Sequence, residues 1–226
     1  MATLRPDALK IARNDRAFFC GATGSGKTTL AKALLWGQRH VIVLDPKRDF
    51  FLPQAAGAVT IDLARNPDKA RQFVLDWEGP GPLIIQPGLE ILNEPFALDW
   101  VFEWVFGRRN TLIYVDEAST ITNGANIGKG HAACIQLGRS RGIGTWHATQ
   151  RPVNVPRVLL TEAEHIFRFR LRHPADQQRI ADVSDPVTLS REPEPQQFWY
   201  YNDKAKAGHK LRFYARANVG KVLSNG

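Results

Sequence analysis

Two cysteines and one methionine are all the sulfur in this 226-residue chain. Cys20 and Cys134 form no CxxC pair, which excludes a disulfide scaffold and a thiolate zinc knuckle. His131 and Cys134 offer only half a metal site, and nothing completes it. The sequence therefore reads as a reduced, intracellular protein without structural zinc. No apolar run approaches the ~20 residues of a membrane span, and no signal segment opens the chain. The greasiest stretch, Leu98 to Phe106, is interrupted by Asp99 and Glu103. Internal repeats and low-complexity tracts are also lacking, which argues against solenoids and solvated tails. Acids are scarce relative to bases: 22 Asp and Glu face 30 Lys and Arg, a formal net charge of +8. That balance suits a polyanionic partner. From 139 to 179 there are eight arginines, no lysine and three acids, a local charge of +5. Arginine in place of lysine points to forked contacts with phosphate or carboxylate, or to a solvated basic face.

What is present is concentrated in Gly21-Ala22-Thr23-Gly24-Ser25-Gly26-Lys27-Thr28, followed by Thr29. These residues match the phosphate-binding pattern G-x-x-x-x-G-K-[ST] at every fixed position. Glycine lets the backbone turn its N–H groups inward around a phosphate. Lys27 would reach the β- and γ-phosphates of ATP, and Thr28 would hold Mg²⁺. Ala17–Cys20 reads as a buried strand before the loop, and Lys27–Gln38 as a helix after it.

Strand and helix signals alternate along the chain, which implies an α/β fold with a mostly parallel central sheet flanked by helices. Expected strands are Ala17–Cys20, Val41–Leu44, Val59–Asp62, Leu83–Gln86, Thr111–Val115, Gly144–Ala148 and His165–Leu171. Further helices are expected from Asn66-Pro67 to about Trp77, from about Pro95 to Phe106, over Gly130–Gly138, and briefly over Asp176–Ala181. In the Pro95–Phe106 helix, Phe96, Trp100 and Trp104 form one apolar stripe and Leu98, Phe102 and Phe106 another. The second stripe is more core or a subunit contact. Glu192-Pro193-Glu194-Pro195 punctuates the end of a motor-sized unit, residues 1–195. Residues 196–226 read as a C-terminal β-hairpin and tail of the same domain. Its strands would be Phe198–Tyr201 and Leu211–Tyr214, with a turn near Lys204–Gly208.

Thr111-Leu112-Ile113-Tyr114-Val115-Asp116-Glu117 is an apolar strand ending in two acids, the form of a Walker B segment. Asp116 would organise Mg²⁺ and Glu117 would act as general base on the attacking water.

Gly138-Arg139-Ser140-Arg141-Gly142-Ile143-Gly144-Thr145-Trp146-His147-Ala148-Thr149-Gln150-Arg151-Pro152 resembles a signature of the FtsK/HerA superfamily of DNA-pumping ATPases. Val41 to Lys47 resembles the family's second strand, and the phosphate loop its opening motif. The resemblance spans about Ala17 to Arg170. It implies a P-loop NTPase fold of the RecA-like, ASCE type, with ATP and Mg²⁺ as cofactors. It also implies double-stranded DNA as the substrate of transport and a homo-oligomeric ring of six or five subunits. Gln150 would sense the γ-phosphate or the attacking water. Arg139 would reach into a neighbouring subunit's site, with Arg141 as its competitor for that role. The compact length is most similar to genome-packaging ATPases of internal-membrane double-stranded DNA viruses. It implies a cytoplasmic protein, in the host cell if viral, that meets a capsid portal vertex. DNA-pumping motors for plasmid transfer, repair or phage export, and a nucleotide-gated assembly protein, remain as alternatives.

Two segments are candidates for DNA contact. Ile121 to His131 is Gly- and Asn-rich with Lys129 as its charge, and reads either as a pore loop or as a solvated connection. Phe167-Arg168-Phe169-Arg170-Leu171-Arg172 alternates strictly. That pattern places the strand near a sheet edge or subunit seam. There Arg168 and Arg170 either guard the edge or contact phosphate.

Overall fold

The structure is a computed structural model. It describes residues 11–50, 52, 57–190, 192–194 and 197–203, together with the backbone of 212–213. Among the described residues, nine strands form one sheet: β1 Arg16–Cys20, β2 Val41–Leu44, β3 Val59–Asp62, β4 Leu83–Gln86, β5 Leu112–Asp116, β6 Gly144–Thr149, β7 His165–Arg168, β8 Phe198–Asn202 and β9 Arg212–Phe213. Their order across the sheet is β3-β4-β2-β5-β6-β1-β7-β8-β9. The first seven strands pair in parallel, and β8 joins β7, and β9 joins β8, antiparallel. Helices are α1 Lys27–Leu35, α2 Pro67–Leu75, α3 Leu89–Asn93, α4 Asp99–Gly107, α5 Lys129–Leu137, α6 Val158–Thr161 and α7 Pro174–Ala181.

Burial on both faces explains why the central strands are nearly all apolar. Every residue of β2 and β5 is buried. Successive side chains enter opposite layers, as the pleat requires. Ile42 and Leu44 join a cluster with Val101, Phe102 and Val105 of α4 and Cys134 and Ile135 of α5. Val41 and Val43 join the opposite cluster with Leu30, Ala31 and Leu35 of α1. Thus α1 covers one face and the later helices cover the other.

Local chemistry sets the element ends. Asn66 accepts a hydrogen bond from Lys69 N at 3.3 Å and Pro67 occupies the first turn, so α2 starts where the sequence places it. The fourth helix starts later than expected. Phe96 adopts φ 60°, which keeps Pro95–Leu98 out of the helix. Trp100 and Trp104 of its tryptophan stripe are partly covered within the chain. Trp104 Nε1 donates to Leu75 O at 3.2 Å, and Arg71 and Arg108 lie over the Trp100 and Trp104 rings. Glycine is required where α5 meets α4. A Cβ on Gly128 would lie 2.1 Å from Asp99 Oδ1, and one on Gly130 would lie 2.7 Å from Glu103 N. This close approach lets the Asp99 carboxylate cap α5, accepting from Gly130 N and His131 N at 2.9 Å each.

Two expectations change. Strand β7 is interior, between β1 and β8, and ends at Arg168. The alternation through Arg172 therefore does not mark a sheet edge. The buried arginine is tolerated because Glu192 pairs with Arg168 and also accepts from Leu171 N at 3.0 Å. The hairpin, in turn, is seen only in its strands: Leu211, Tyr214 and the turn near Lys204–Gly208 lie outside the described residues, as do residues 195 and 196. Among the described residues, no helix is long and apolar enough to cross a membrane.

Candidate active site

Parallel strands deliver their carboxyl ends to one rim, and ligands of such sheets bind there. Cys20 of β1 is in register with Thr149 of β6, and Asp116 of β5 with Ala148. Strand β6 therefore separates the phosphate-loop strand from the acid-bearing strand. Gly21–Lys27, Asp116–Glu117, Thr149–Gln150 and the turn after β2 converge on this rim.

The loop is shaped by its glycines. Gly21, Gly24 and Gly26 take φ of 154°, 73° and 108°. Beside Gly21, a Cβ would meet Phe169 Cβ at 2.5 Å, so no other residue fits. Ala22 N donates to Arg170 O at 2.8 Å, which anchors the loop to the chain after β7. Helix α1 begins without a side-chain cap and without an acid in its first turn, leaving its N–H groups and positive dipole end for an anion. Lys27 Nζ folds back on Gly21 O at 2.7 Å and Ala22 O at 3.1 Å. Burial, and then the Lys47 ammonium, pull its pKa below the usual lysine value.

The acids are held differently. Asp116 Oδ1 accepts from Tyr114 Oη at 2.7 Å and Thr28 Oγ1 at 3.2 Å. Its Oδ2 is buried without a hydrogen-bond partner, with Lys47 Nζ at 3.6 Å. Glu117 adopts φ 89°, ψ 76°, a left-handed conformation costly for a side chain with a Cβ. That turn aims its carboxylate back under β6. There it accepts from Thr149 Oγ1 at 2.7 Å, Ser119 Oγ at 2.8 Å and Gln150 N at 3.2 Å, with Lys47 Nζ at 3.3 Å. Burial by itself would raise the Glu117 pKa. The hydrogen bonds from Thr149 and Ser119, the Lys47 charge and the Gln150 N–H outweigh it and hold the pKa below the usual value. Gln150 Oε1 accepts from Thr23 Oγ1 at 2.8 Å, tying the strand end to the phosphate loop.

Magnesium fits these residues. The orphaned Asp116 Oδ2 and the adjoining Thr28 hydroxyl are hard oxygen donors. Asp45, Asp49 and Asp116 bring carboxylate oxygens within 4.8 Å of one another. Asp45 is already engaged, accepting from Phe50 N at 3.0 Å and Gln86 Nε2 at 2.9 Å.

The structure brings Gly21–Thr28, Asp116, Glu117 and Gln150 together, and Thr29 follows on the exposed side of α1. Arg139 is elsewhere. It ion-pairs with Glu164 at 2.7 Å, and Glu164 also contacts Arg16 at the start of β1. The length of β1, about 13 Å at the usual strand rise, separates that end from the phosphate loop. Arg139 is half-exposed on the opposite rim, and Arg141 there lies over the Phe106 ring. Lys129 and Arg170 are exposed, whereas Arg168 is 1% exposed. Its pairing with Glu192 removes Arg168 from any surface contact with DNA, correcting the expectation from sequence.

Lys47, Thr149, Ser119 and Tyr114 are site residues that motif reading missed. Lys47 follows the end of β2, and only the β2–β5 pairing puts it beside Asp116. The half metal site is spent on packing: His131 Nε2 bonds His147 Nε2 at 2.8 Å, and Cys134 Sγ donates to Phe102 O. Burial drives the His147 pKa down to about 3, so this pair is neutral near pH 7.

No protein-family profile and no curated protein matches the chain. Solved structures do. It is similar to the genome packaging NTPase B204 of Sulfolobus turreted icosahedral virus 2 in complex with AMPPCP. The identity is 14% and the TM-score 0.61, over 85% of this chain and 94% of that one. VirB4 of Thermoanaerobacter pseudethanolicus is similar at 13% identity and TM-score 0.56, over 84% and 87%. The pCW3 conjugation coupling protein TcpA, solved with ATPγS, is similar at 13% identity and TM-score 0.55, over 94% and 65%. The fold of this chain is the one these three proteins share.

Proposed function

We propose that the protein is an ATP hydrolase that drives double-stranded DNA, with packaging of a viral genome into a preformed capsid as its task. The observation that carries this reading is Glu117, an ionised carboxylate held by fixed donors beside an uncapped phosphate loop. A protein that only binds nucleotide has no use for a base aimed at so much strain cost. Lys27 and the α1 N-terminus would hold the phosphates. Glu117 would take the proton of the attacking water, and Gln150, anchored by Thr23, would orient that water. Thr28 and Asp116 would hold Mg²⁺, which when bound neutralises charge on the phosphates.

Arg139 lies too far from its own phosphate loop to act there. In a ring it would act on a neighbour's nucleotide, so catalysis would depend on assembly. The packaging task is supported by likeness in fold to a viral packaging NTPase. A conjugative or export motor is the second reading, supported by the comparable likeness to VirB4 and TcpA.

DNA contact would fall to exposed cations such as Lys129 and Arg170. A motor that must accept any sequence has to grip phosphates. Duplex affinity should therefore drop by about a thousandfold or more between 50 and 200 mM salt, and be indifferent to sequence. Titrating labelled duplexes of equal length and unrelated sequence checks this. Strong discrimination among them, or binding insensitive to salt, would contradict it.

A further inference from the structure

The active site holds a second lysine that motif reading does not assign. Lys47 Nζ lies 3.3 Å from Glu117 Oε2 and 3.6 Å from Asp116 Oδ2. Its backbone is clamped. Asp45 accepts from Asp49 N and Phe50 N, and Arg48 N returns to Asp45 O at 3.2 Å. Phe50 is buried against the Tyr114 ring, and Tyr114 in turn holds Asp116. The turn thus delivers one ammonium to one place, and only its side-chain rotamers remain free.

Carboxylates already outnumber ammonium groups at this rim: Asp45 and Asp49 come within 4.8 Å of Asp116, and Lys47 reaches both Asp116 and Glu117. The terminal phosphate of ATP adds further negative charge. A general base acting through one water sits within about 4–6 Å of the phosphoryl oxygens it serves. Like charges at that separation repel strongly in a buried site. Lys47 already stands within that shell of Glu117. A divalent cation on Asp116 Oδ2 would compete with Lys47 for that oxygen. The lysine would then keep Glu117 and have two N–H donors to spare.

We propose that Lys47 is a catalytic lysine that contacts the terminal phosphate of ATP, parked on Asp116 and Glu117 until nucleotide enters. Lys27 serves the β- and γ-phosphates from below, and Lys47 serves the γ-phosphate alone from the side of the base. This inference rests on the ATPase reading above.

The distinguishing property is selectivity, since ADP lacks the group that Lys47 would touch. Calorimetric titration with Mg²⁺ present would compare ADP with a non-hydrolysable ATP analogue. Wild type should bind both. Lys47→Met should weaken the analogue about tenfold, the loss of one charge-assisted contact, and leave ADP within about twofold. Lys47→Arg should keep most of the preference for the analogue. Unchanged ADP binding also reports that the variant is folded. An Lys47→Met protein with the wild-type preference would overturn the contact. So would one that loses both nucleotides together, because that marks a structural role. A wild-type protein that binds neither nucleotide would overturn the ATPase reading itself, and this one with it.

Discussion

Glu117→Gln is expected to bind ATP and all but cease to hydrolyse it. The amide nearly matches the carboxylate in shape, and its oxygen can still accept from Thr149 and Ser119, which hold Glu117 Oε1 at 2.7 and 2.8 Å. The phosphate loop, Lys27, Thr28 and Asp116 are untouched. What is lost is the carboxylate proposed to take a proton from the attacking water. Loss of a general base costs roughly a hundredfold to ten-thousandfold in turnover. Steady-state hydrolysis alongside nucleotide titration separates the two quantities. A variant that turns over at the wild-type rate would remove Glu117 from the chemistry.

Arg139→Ala should also bind ATP and hydrolyse it poorly, for a different reason. Its partner Glu164 stands at the amino-terminal rim of the sheet, a strand length from the phosphate loop of the same chain. Any action on a phosphoryl group must cross a subunit boundary. Loss of a trans arginine typically lowers turnover by about a thousandfold or more. Mixing tests the geometry. Glu117→Gln subunits carry an intact arginine, and Arg139→Ala subunits an intact base. In a mixed ring some interfaces join the two intact halves, so activity should reappear. Two-colour labelling establishes that mixed rings form. If they form and stay inactive, Arg139 is not the trans group. Restoration by mixing Glu117→Gln with Arg141→Ala alone would move the role to Arg141.

The phosphate loop and the two acids were legible because their chemistry is contiguous in sequence. Eight consecutive positions, Gly21 to Thr28, make the loop, and an apolar run makes the strand that presents the acids. The β2, β3 and β4 bounds agree with the hydrophobic runs residue for residue. Lys47 was not legible, because its role depends on which strand lies beside β2, and strand order is not a local property. Nor were Thr149 and Ser119, ordinary polar residues until the left-handed turn at Glu117 brings its carboxylate onto them. Arg168 misled for the same reason. Alternation reported a strand correctly, but its neighbours, β8 and Glu192, decided that the arginine is inside. The short α3 and α6 escaped because five and four residues carry too little periodicity to show.

Hydrolysis at this site is proposed to be coupled to duplex DNA. The ATPase rate should be followed with and without duplex DNA across a range of protein concentration. If the site is completed between subunits and serves DNA movement, specific activity should climb as the protein assembles and climb further when duplex is added. Hydrolysis that is independent of concentration and unaltered by duplex at low salt would contradict that coupling.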